Sequence, residues 1–194
     1  MRKIFLLLTV LFIFNSSINA QNNPSDNVET KAKNIIKVSA SGILFSIVKS
    51  LFSNEKILDI TPRYERVISD KLSLNIEIRS HIRISAPRLY DYFYSYWGAN
   101  GGFRYYFSNS APIGFYLFPS LGYGKIYEED KKDNKEKRDL LNSDLLVGYQ
   151  HIITGTSIYI DMALGIRYGV GFTKNDIYKY GGGMINLFSI GYAF

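Results

Sequence analysis

A strictly alternating segment near the end of the chain constrains the fold most. In residues 157–170, SIYIDMALGIRYGV, the even positions from Ile158 to Val170 are apolar, and the odd positions include small residues, Asp161 and Arg167. A period of two over fourteen residues predicts a β-strand, because apolar positions on a helix recur every three or four residues. Soluble strands are usually shorter. The unbroken apolar face is typical of a barrel strand with lipid on one side and a narrow lumen on the other.

The first twenty residues have the pattern of an export signal. Two basic residues precede an apolar run at 4–14, and the small residue Ala20 ends the segment. This pattern predicts a secretory signal peptide at 1–20, because the run is too short to span a bilayer comfortably. An uncleaved N-terminal anchor is the alternative. Residues 21–34 are polar and predict a periplasmic lead-in, and the absence of cysteine leaves no lipid-attachment site.

Seven further segments support the same fold. Together they predict an all-β, eight-stranded antiparallel up-and-down transmembrane β-barrel over residues 35–194. The first segment loses its alternation in its second half, where an amphipathic helix at 43–52 is the competing interpretation. Pro62 cannot donate to a ladder and predicts a bulge or a rim position. The eight strands are predicted at 35–47, 57–68, 72–84, 95–107, 113–127, 140–152, 157–170 and 183–194.

The predicted connections alternate between short and long. With the N-terminus in the periplasm, the short turns all fall on the periplasmic side. A soluble barrel such as a lipocalin is the competing architecture, with its apolar parity turned inward around a ligand. The glycine-rich polar parity favours a tight lumen instead, because small residues let large neighbours fit inside a narrow barrel. Short turns are expected at 69–71, 108–112 and 153–156, and longer connections at 50–56, 86–94, 171–182 and the highly charged segment 128–139.

Composition narrows the functional class. The 16 Tyr, 13 Phe and one Trp form 15% of the chain, which suits aromatic girdles at two membrane interfaces. Tyrosine-rich segments at 89–97 and 177–180 suit either such a girdle or contacts with a surface partner. Basic residues are scattered, so nucleic-acid binding has no support. Beyond the signal, no apolar run reaches the length of a membrane-spanning helix.

Three segments carry a likeness to a known group of proteins. They are GFYLFPSLGYGK at 114–125, PRYERVISDKLSLNIEI at 62–78 and the terminal IGYAF. With the signal peptide and the alternating strands, they resemble the short outer-membrane β-barrel families of Gram-negative bacteria, and in particular a family of unknown function. We expect a monomer in outer-membrane lipid. The resemblance implies that Tyr192 and the terminal Phe194 are recognised by the barrel-assembly machinery during biogenesis.

The polar faces of the strands carry charges that we expect inside the barrel. Charges in a confined lumen must pair or stay hydrated, because an isolated buried ion is costly. We therefore predict an ion-pair network that plugs the lumen. Eight strands enclose only enough room for side chains, which favours a rigid plug; a narrow pore gated by an arginine pair with Glu77 or Asp161 is the alternative. The predicted network comprises Arg63, Glu65, Glu77, Arg79, Arg83, Arg104, Asp144, Asp161 and Arg167.

A lipid A-modifying enzyme is the alternative from another class. Such an enzyme needs a serine activated by a histidine that an acid holds. Ser80 beside His81 points to the opposite face of its strand, and His151 has Tyr149 and Ile153 two positions away. No metal-ligand spacing or phosphate-binding glycine motif is found. The sequence predicts a non-enzymatic protein with a structural or surface-interaction role and no cofactor.

Overall fold

A closed ring of antiparallel strands forms the fold. The computed structural model describes residues 33–53, 55–85, 92–108, 110–129, 135–173 and 176–194. The elements are β1 (Asn34–Ser39), α1 (Ala40–Phe52), β2 (Glu55–Ile60), β3 (Pro62–Ser69), β4 (Leu72–Ser85), β5 (Phe93–Tyr106), β6 (Gly114–Glu129), β7 (Lys135–Ile152), β8 (Ile158–Phe172) and β9 (Ile177–Ala193). The hydrogen-bonded order around the ring is β4-β3-β1-β9-β8-β7-β6-β5, β5 pairs back with β4, and β2 also pairs with β4. The predicted eight-stranded barrel is confirmed.

The predicted signal peptide at 1–20 lies outside the described residues, as does the predicted lead-in at 21–34 except for its last two residues. Both stay predictions. No helix in the described part of the chain is both long and apolar enough to cross a bilayer.

The apolar faces of the strands point outward and the charged faces point inward. Ile76 and Leu164 are 45% and 65% exposed, whereas Glu77 and Asp161 are 1% and 0% exposed. A lipocalin-like barrel requires the opposite polarity, so that competing architecture is wrong. The wall is therefore suited to hydrocarbon, and the ionised side chains are enclosed.

The first ring position combines a short strand with a helix. β1 ends at Ser39, and the chain continues as α1, so the second half of the strand predicted at 35–47 is wrong and the competing helix is confirmed. The Ser39 hydroxyl accepts a hydrogen bond from the Gly42 N–H at 3.2 Å and caps the helix. The reason for the helix is a change in apolar period from two to three and four. Leu44, Ile47, Val48 and Leu51 follow that spacing and are exposed on the outside of the barrel.

The second ring position consists of two strands placed end to end. β2 pairs with β4 through Ile57 and Arg83, and β3 pairs with β4 through Arg63 and Glu77. The continuous strand predicted at 57–68 is therefore broken before Pro62. Proline has no N–H to donate, so the interruption falls where the ladder is weakest.

Serine side chains of α1 satisfy the edge of β2 that faces the helix. The Ser46 hydroxyl accepts from the Asp59 N–H at 2.9 Å and donates to the Gly42 carbonyl at 2.8 Å. One turn later, the Ser50 hydroxyl accepts from the Ile57 N–H at 3.0 Å. An unpaired strand edge is costly in a bilayer, because no water is present to satisfy it. The helix thus replaces part of a strand without leaving these amides unbonded.

The connections separate into two ends of the barrel. The turns after β3, β5 and β7 form what we call the turn end, and the connections after α1, β4, β6 and β8 form the loop end. Two predicted loops are mostly strand: β6 and β7 extend into 128–139, and β8 and β9 extend into 171–182. Cross-strand contact of Arg138 with Glu128 supports the charged hairpin. Tyr178, packed on Gly171, supports the other.

Candidate functional site: the barrel lumen

Four charged side chains form what we call the inner layer, near the turn end of the lumen: Lys37, Glu65, Arg104 and Asp161. Arg104 Nη2 donates to Asp161 Oδ2 at 2.9 Å, and its Nη1 donates to Gln150 Oε1 at 2.9 Å. Lys37 Nζ contacts Glu65 and Gln150 and lies 3.3 Å from Asp161 Oδ2. All four charged side chains are at most 2% exposed. Two cations face two carboxylates, so this layer has no net charge.

Two tyrosines complete the inner layer. Tyr106 Oη donates to Glu65 Oε1 at 2.6 Å, and Tyr116 Oη donates to Asp161 Oδ1 at 2.6 Å. The Arg104 guanidinium lies 4.3 Å from the centroid of the Tyr116 ring. Both oxygens of each carboxylate therefore accept hydrogen bonds, which is what a buried ion needs in order to stay ionised without water.

Five more charges form the outer layer, halfway along the lumen: Arg63, Glu77, Arg79, Asp144 and Arg167. Arg167 binds Asp144 through two hydrogen bonds of 2.7 Å each, the bidentate geometry that makes such pairs strong. Arg79 Nη2 lies 3.1 Å from Asp144 Oδ2 and also contacts Glu77. Arg63 Nε lies 2.6 Å from Glu77 Oε2. Three cations face two carboxylates, so this layer carries one excess positive charge.

A cavity of about 520 Å³ lies between the outer layer and the loop end. Arg63, Arg79 and Arg167 line it, whereas their partners Glu77 and Asp144 do not. Its volume falls within the range of ligand pockets, about 300–1,000 Å³. We call it the loop-end cavity.

The predicted charges thus lie in two adjoining layers, with one exception. Arg63 Nη1 lies 3.9 Å from Asp161 Oδ2 and connects the layers. Arg83 does not join them: it contacts Glu55 at the loop end, and its side chain is 38% exposed. The predicted network lacks Lys37. Lys37 lies on the same strand face as Ser39 and next to the outward Ile36, and this alternation was the sequence signal that indicated an inward position.

Inward glycines make room for the lumen side chains. A Cβ on Gly148 would lie 2.3 Å from Cζ of Tyr116, and a Cβ on Gly169 would lie 2.3 Å from Cζ of Tyr180. Such distances are impossible for real atoms, so any side chain there displaces a tyrosine. The predicted role of inward glycines is confirmed.

The two histidines lie in different surroundings. His81 Nδ1 lies 3.3 Å from Asp59 Oδ2 at the wall of the loop-end cavity, and His151 stacks beside Tyr149. Within the described ranges, no serine hydroxyl is hydrogen-bonded to either histidine. The same ranges contain no cluster of three metal-ligating side chains.

The charged hairpin of β6 and β7 extends to the loop end. Tyr127 Oη donates to Glu129 Oε2 at 2.6 Å, and this hydrogen bond lowers the pKa of Glu129 below its ordinary value. Arg138 lies 5.9 Å from the centroid of the Tyr178 ring, on the adjoining hairpin. The contact of Arg138 thus joins the described part of the charged hairpin to the adjoining hairpin.

A crystal structure of Ail, the attachment invasion locus protein of Yersinia pestis, is similar to this barrel. The TM-score is 0.50 at 14% sequence identity, and the match covers 84% of this chain and 99% of that one. At this identity the likeness shows the fold. No protein-family model matches the sequence, and no curated protein matches it. Membership of the family of unknown function named above stays a prediction.

The C-terminal residues close the ring. Phe194 N donates to the Asn34 carbonyl at 2.9 Å, next to the pairing of Tyr192 with Ile36. Tyr192 and Phe194 are 61% and 60% exposed on the outer face. Their recognition by the assembly machinery stays a prediction.

Proposed function

We propose that this protein is a non-enzymatic outer-membrane β-barrel with a structural or surface-interaction role, and that the inner layer closes its lumen to ions. The observation that carries the closure is the neutral set of Lys37, Glu65, Arg104 and Asp161, in which every carboxylate oxygen accepts a hydrogen bond. An ion crossing this layer would have to separate charge pairs in a site that excludes water, which is expensive.

Planar-bilayer recording tests the closure. The purified protein should show no stable conductance steps. A variant with Arg104→Ala and Asp161→Ala removes one charge of each sign, keeps the layer neutral and opens space, so steps should then be seen. Steps in the unchanged protein would refute the closed lumen and support the narrow pore.

The position in the membrane has its own test. Trp97 is the single tryptophan of the chain, and it is 54% exposed on the outward face. Refolding into vesicles of brominated phosphatidylcholine should therefore quench its fluorescence strongly, because bromine quenches at short range. Recovery of the protein in the outer-membrane fraction, with heat-modifiable migration on gels, would support the location. An unquenched Trp97 would refute it.

The surface-interaction role draws support from two features. The loop end carries aromatic side chains such as Phe93 and Tyr94, and the similar fold of Ail belongs to an attachment invasion locus protein. Replacing 86–94 by a short turn should reduce adhesion of expressing cells to host cells or matrix. Unchanged adhesion would leave the structural role.

A further inference from the structure

The wall of the loop-end cavity is basic. Arg79 and Arg167 line it, while the Glu77 and Asp144 carboxylates that pair with them lie outside its lining. The one carboxylate in the lining, that of Asp59, is paired with His81. A ligand in the cavity would therefore meet the cationic edges of the outer layer, which already holds one more cation than carboxylates.

Tyr96 contributes its ring to the same wall. It lines the cavity and is 9% exposed, but its hydroxyl is enclosed: it has almost no accessible surface and lies against Gly98 and Gly124. The arginines are therefore the polar groups that a ligand head group would meet.

The cavity also reaches the lipid-facing wall beside α1. Phe45 lines the cavity and is 60% exposed on the outside, and Met184 of β9 lines it from the other side. Within the described residues, the hydrogen bonds between this part of the wall and β9 are those of Ser39 and Ser41 to Asn186. From there to the loop end, β9 pairs with β8 alone.

Bare backbone lies along this side of β9. A Cβ on Gly182 or Gly183 would meet no atom of the described residues within 4 Å. Gly182 pairs with the inward Arg167, and Gly183 pairs with the outward Ile166, so their open sides face the lumen and the lipid respectively. Neither glycine therefore adds a side chain that would cover the edge of β9 beside α1.

We infer that the loop-end cavity binds an anionic single-chain amphiphile whose head group lies on Arg79 and Arg167 and whose acyl chain passes between α1 and β9 into the bilayer. Charge selects the head group, and Phe45 and Met184 provide apolar contact for the start of the chain. A membrane source of ligand needs no aqueous route, because the opening faces hydrocarbon. This inference is independent of whether the inner layer closes the lumen.

Native mass spectrometry of the folded full chain in an uncharged detergent tests the binding. The probes are oleate, lysophosphatidate and methyl oleate, which keeps the chain without the charge. Oleate or lysophosphatidate should bind at one copy per protein, and methyl oleate should bind at least about tenfold more weakly, the size of a lost hydrogen bond to a charged group. The stronger of the two anions identifies the head group. Equal binding of methyl oleate would overturn the proposal.

Two glycine variants locate the site. Gly182→Phe places a ring toward the cavity, whereas Gly183→Phe places the same ring toward lipid. Binding should fall about tenfold or more in Gly182→Phe, because the ring would displace the ligand from a charge-assisted contact. Binding should stay unchanged in Gly183→Phe. Equal binding by both variants would overturn the route between α1 and β9.

A third variant covers the case in which Gly182→Phe fails to fold. Phe45→Ala shortens a side chain that lines the cavity and is 60% exposed, so the barrel should retain its stability. Binding of the stronger anion should nevertheless fall several-fold, because the start of the acyl chain loses an apolar contact. Unchanged affinity would overturn the route beside α1.

Discussion

In the turn-end half of the barrel, hydrogen-bonded strands enclose a neutral layer of ion pairs, whereas in the loop-end half α1 stands beside β2 and an open cavity lies within. Every carboxylate oxygen of the inner layer accepts a hydrogen bond. The arginines of the outer layer line an open cavity. Charged side chains that converge on a cavity are candidates for contact with a ligand. The comparison assigns stability to one half and ligand contact to the other.

The largest expected effect comes from removing the central cation of the inner layer. Arg104→Met leaves Asp161 and Glu65 buried with Lys37 as the one cation of the inner layer and with Arg63 3.9 Å from Asp161. Breaking a buried ion pair in this way costs about 3–5 kcal/mol. The variant should refold poorly, and its urea midpoint, followed by heat-modifiable gel migration, should fall strongly.

The matched control is Arg83→Met at the loop end, where the pair with Glu55 is partly exposed. Exposed pairs contribute up to about 1 kcal/mol, so its urea midpoint should move little. If Arg83→Met destabilised the barrel as much as Arg104→Met, the contrast between the two halves would be wrong.

A second expected effect concerns the packing of the turn-end half. Gly148→Leu would force the Tyr116 ring away from Asp161, because a Cβ there would lie 2.3 Å from the ring hydroxyl. Overpacking of this kind costs about 1–3 kcal/mol. Gly183→Leu, which adds the same side chain on the lipid side of β9, should leave the unfolding free energy in urea almost unchanged. Similar losses in both variants would show that strand propensity, and not tyrosine packing, explains these glycines.

The strand faces could be predicted from the sequence because alternate residues of a strand point to opposite faces. The pattern of apolar and polar residues therefore indicates which side chains face outward and which face the lumen. Asp161 and Ile76 were assigned to the correct faces from their own neighbours alone. Lys37 was omitted because its short strand has few alternating positions, although its parity was visible. The alternation signal is therefore weaker in shorter strands.

Features that depend on distant elements could not be predicted. β9 contains a bulge opposite Asp161 and Ala163, so Asn186 and Ser189 both reach the lumen despite their different parities. The side-chain bonds from α1 to the amides of β2 likewise need both elements in place. A single strand pattern contains no signal for either.

A third, smaller effect tests whether α1 truly replaces a strand. Ser46→Ala removes the acceptor of the Asp59 amide, which costs about 1 kcal/mol. Because the loss is confined to the edge of β2, hydrogen exchange at Asp59 should accelerate while the amides of β7 keep their protection. Val48→Ala, on the lipid side of the same helix, should change neither. Unaltered exchange at Asp59 would mean that the serine bond does not protect this edge.

The smallest effect lies outside the lumen, on the charged hairpin. The hydrogen bond from Tyr127 stabilises the ionised Glu129 and lowers its pKa, so its stabilising contribution is present above the ordinary pKa of a glutamate and is lost as the pH falls through the lowered value. Tyr127→Phe should raise the pKa of Glu129 in an NMR titration and leave the urea midpoint at neutral pH unchanged. Because the Glu129 carboxylate is solvated, it can lose a hydrogen-bond partner without destabilising the barrel. A carboxylate of the inner layer cannot. A midpoint shift comparable to that of Arg104→Met would remove the distinction between enclosed and solvated charges on which the two-half comparison depends.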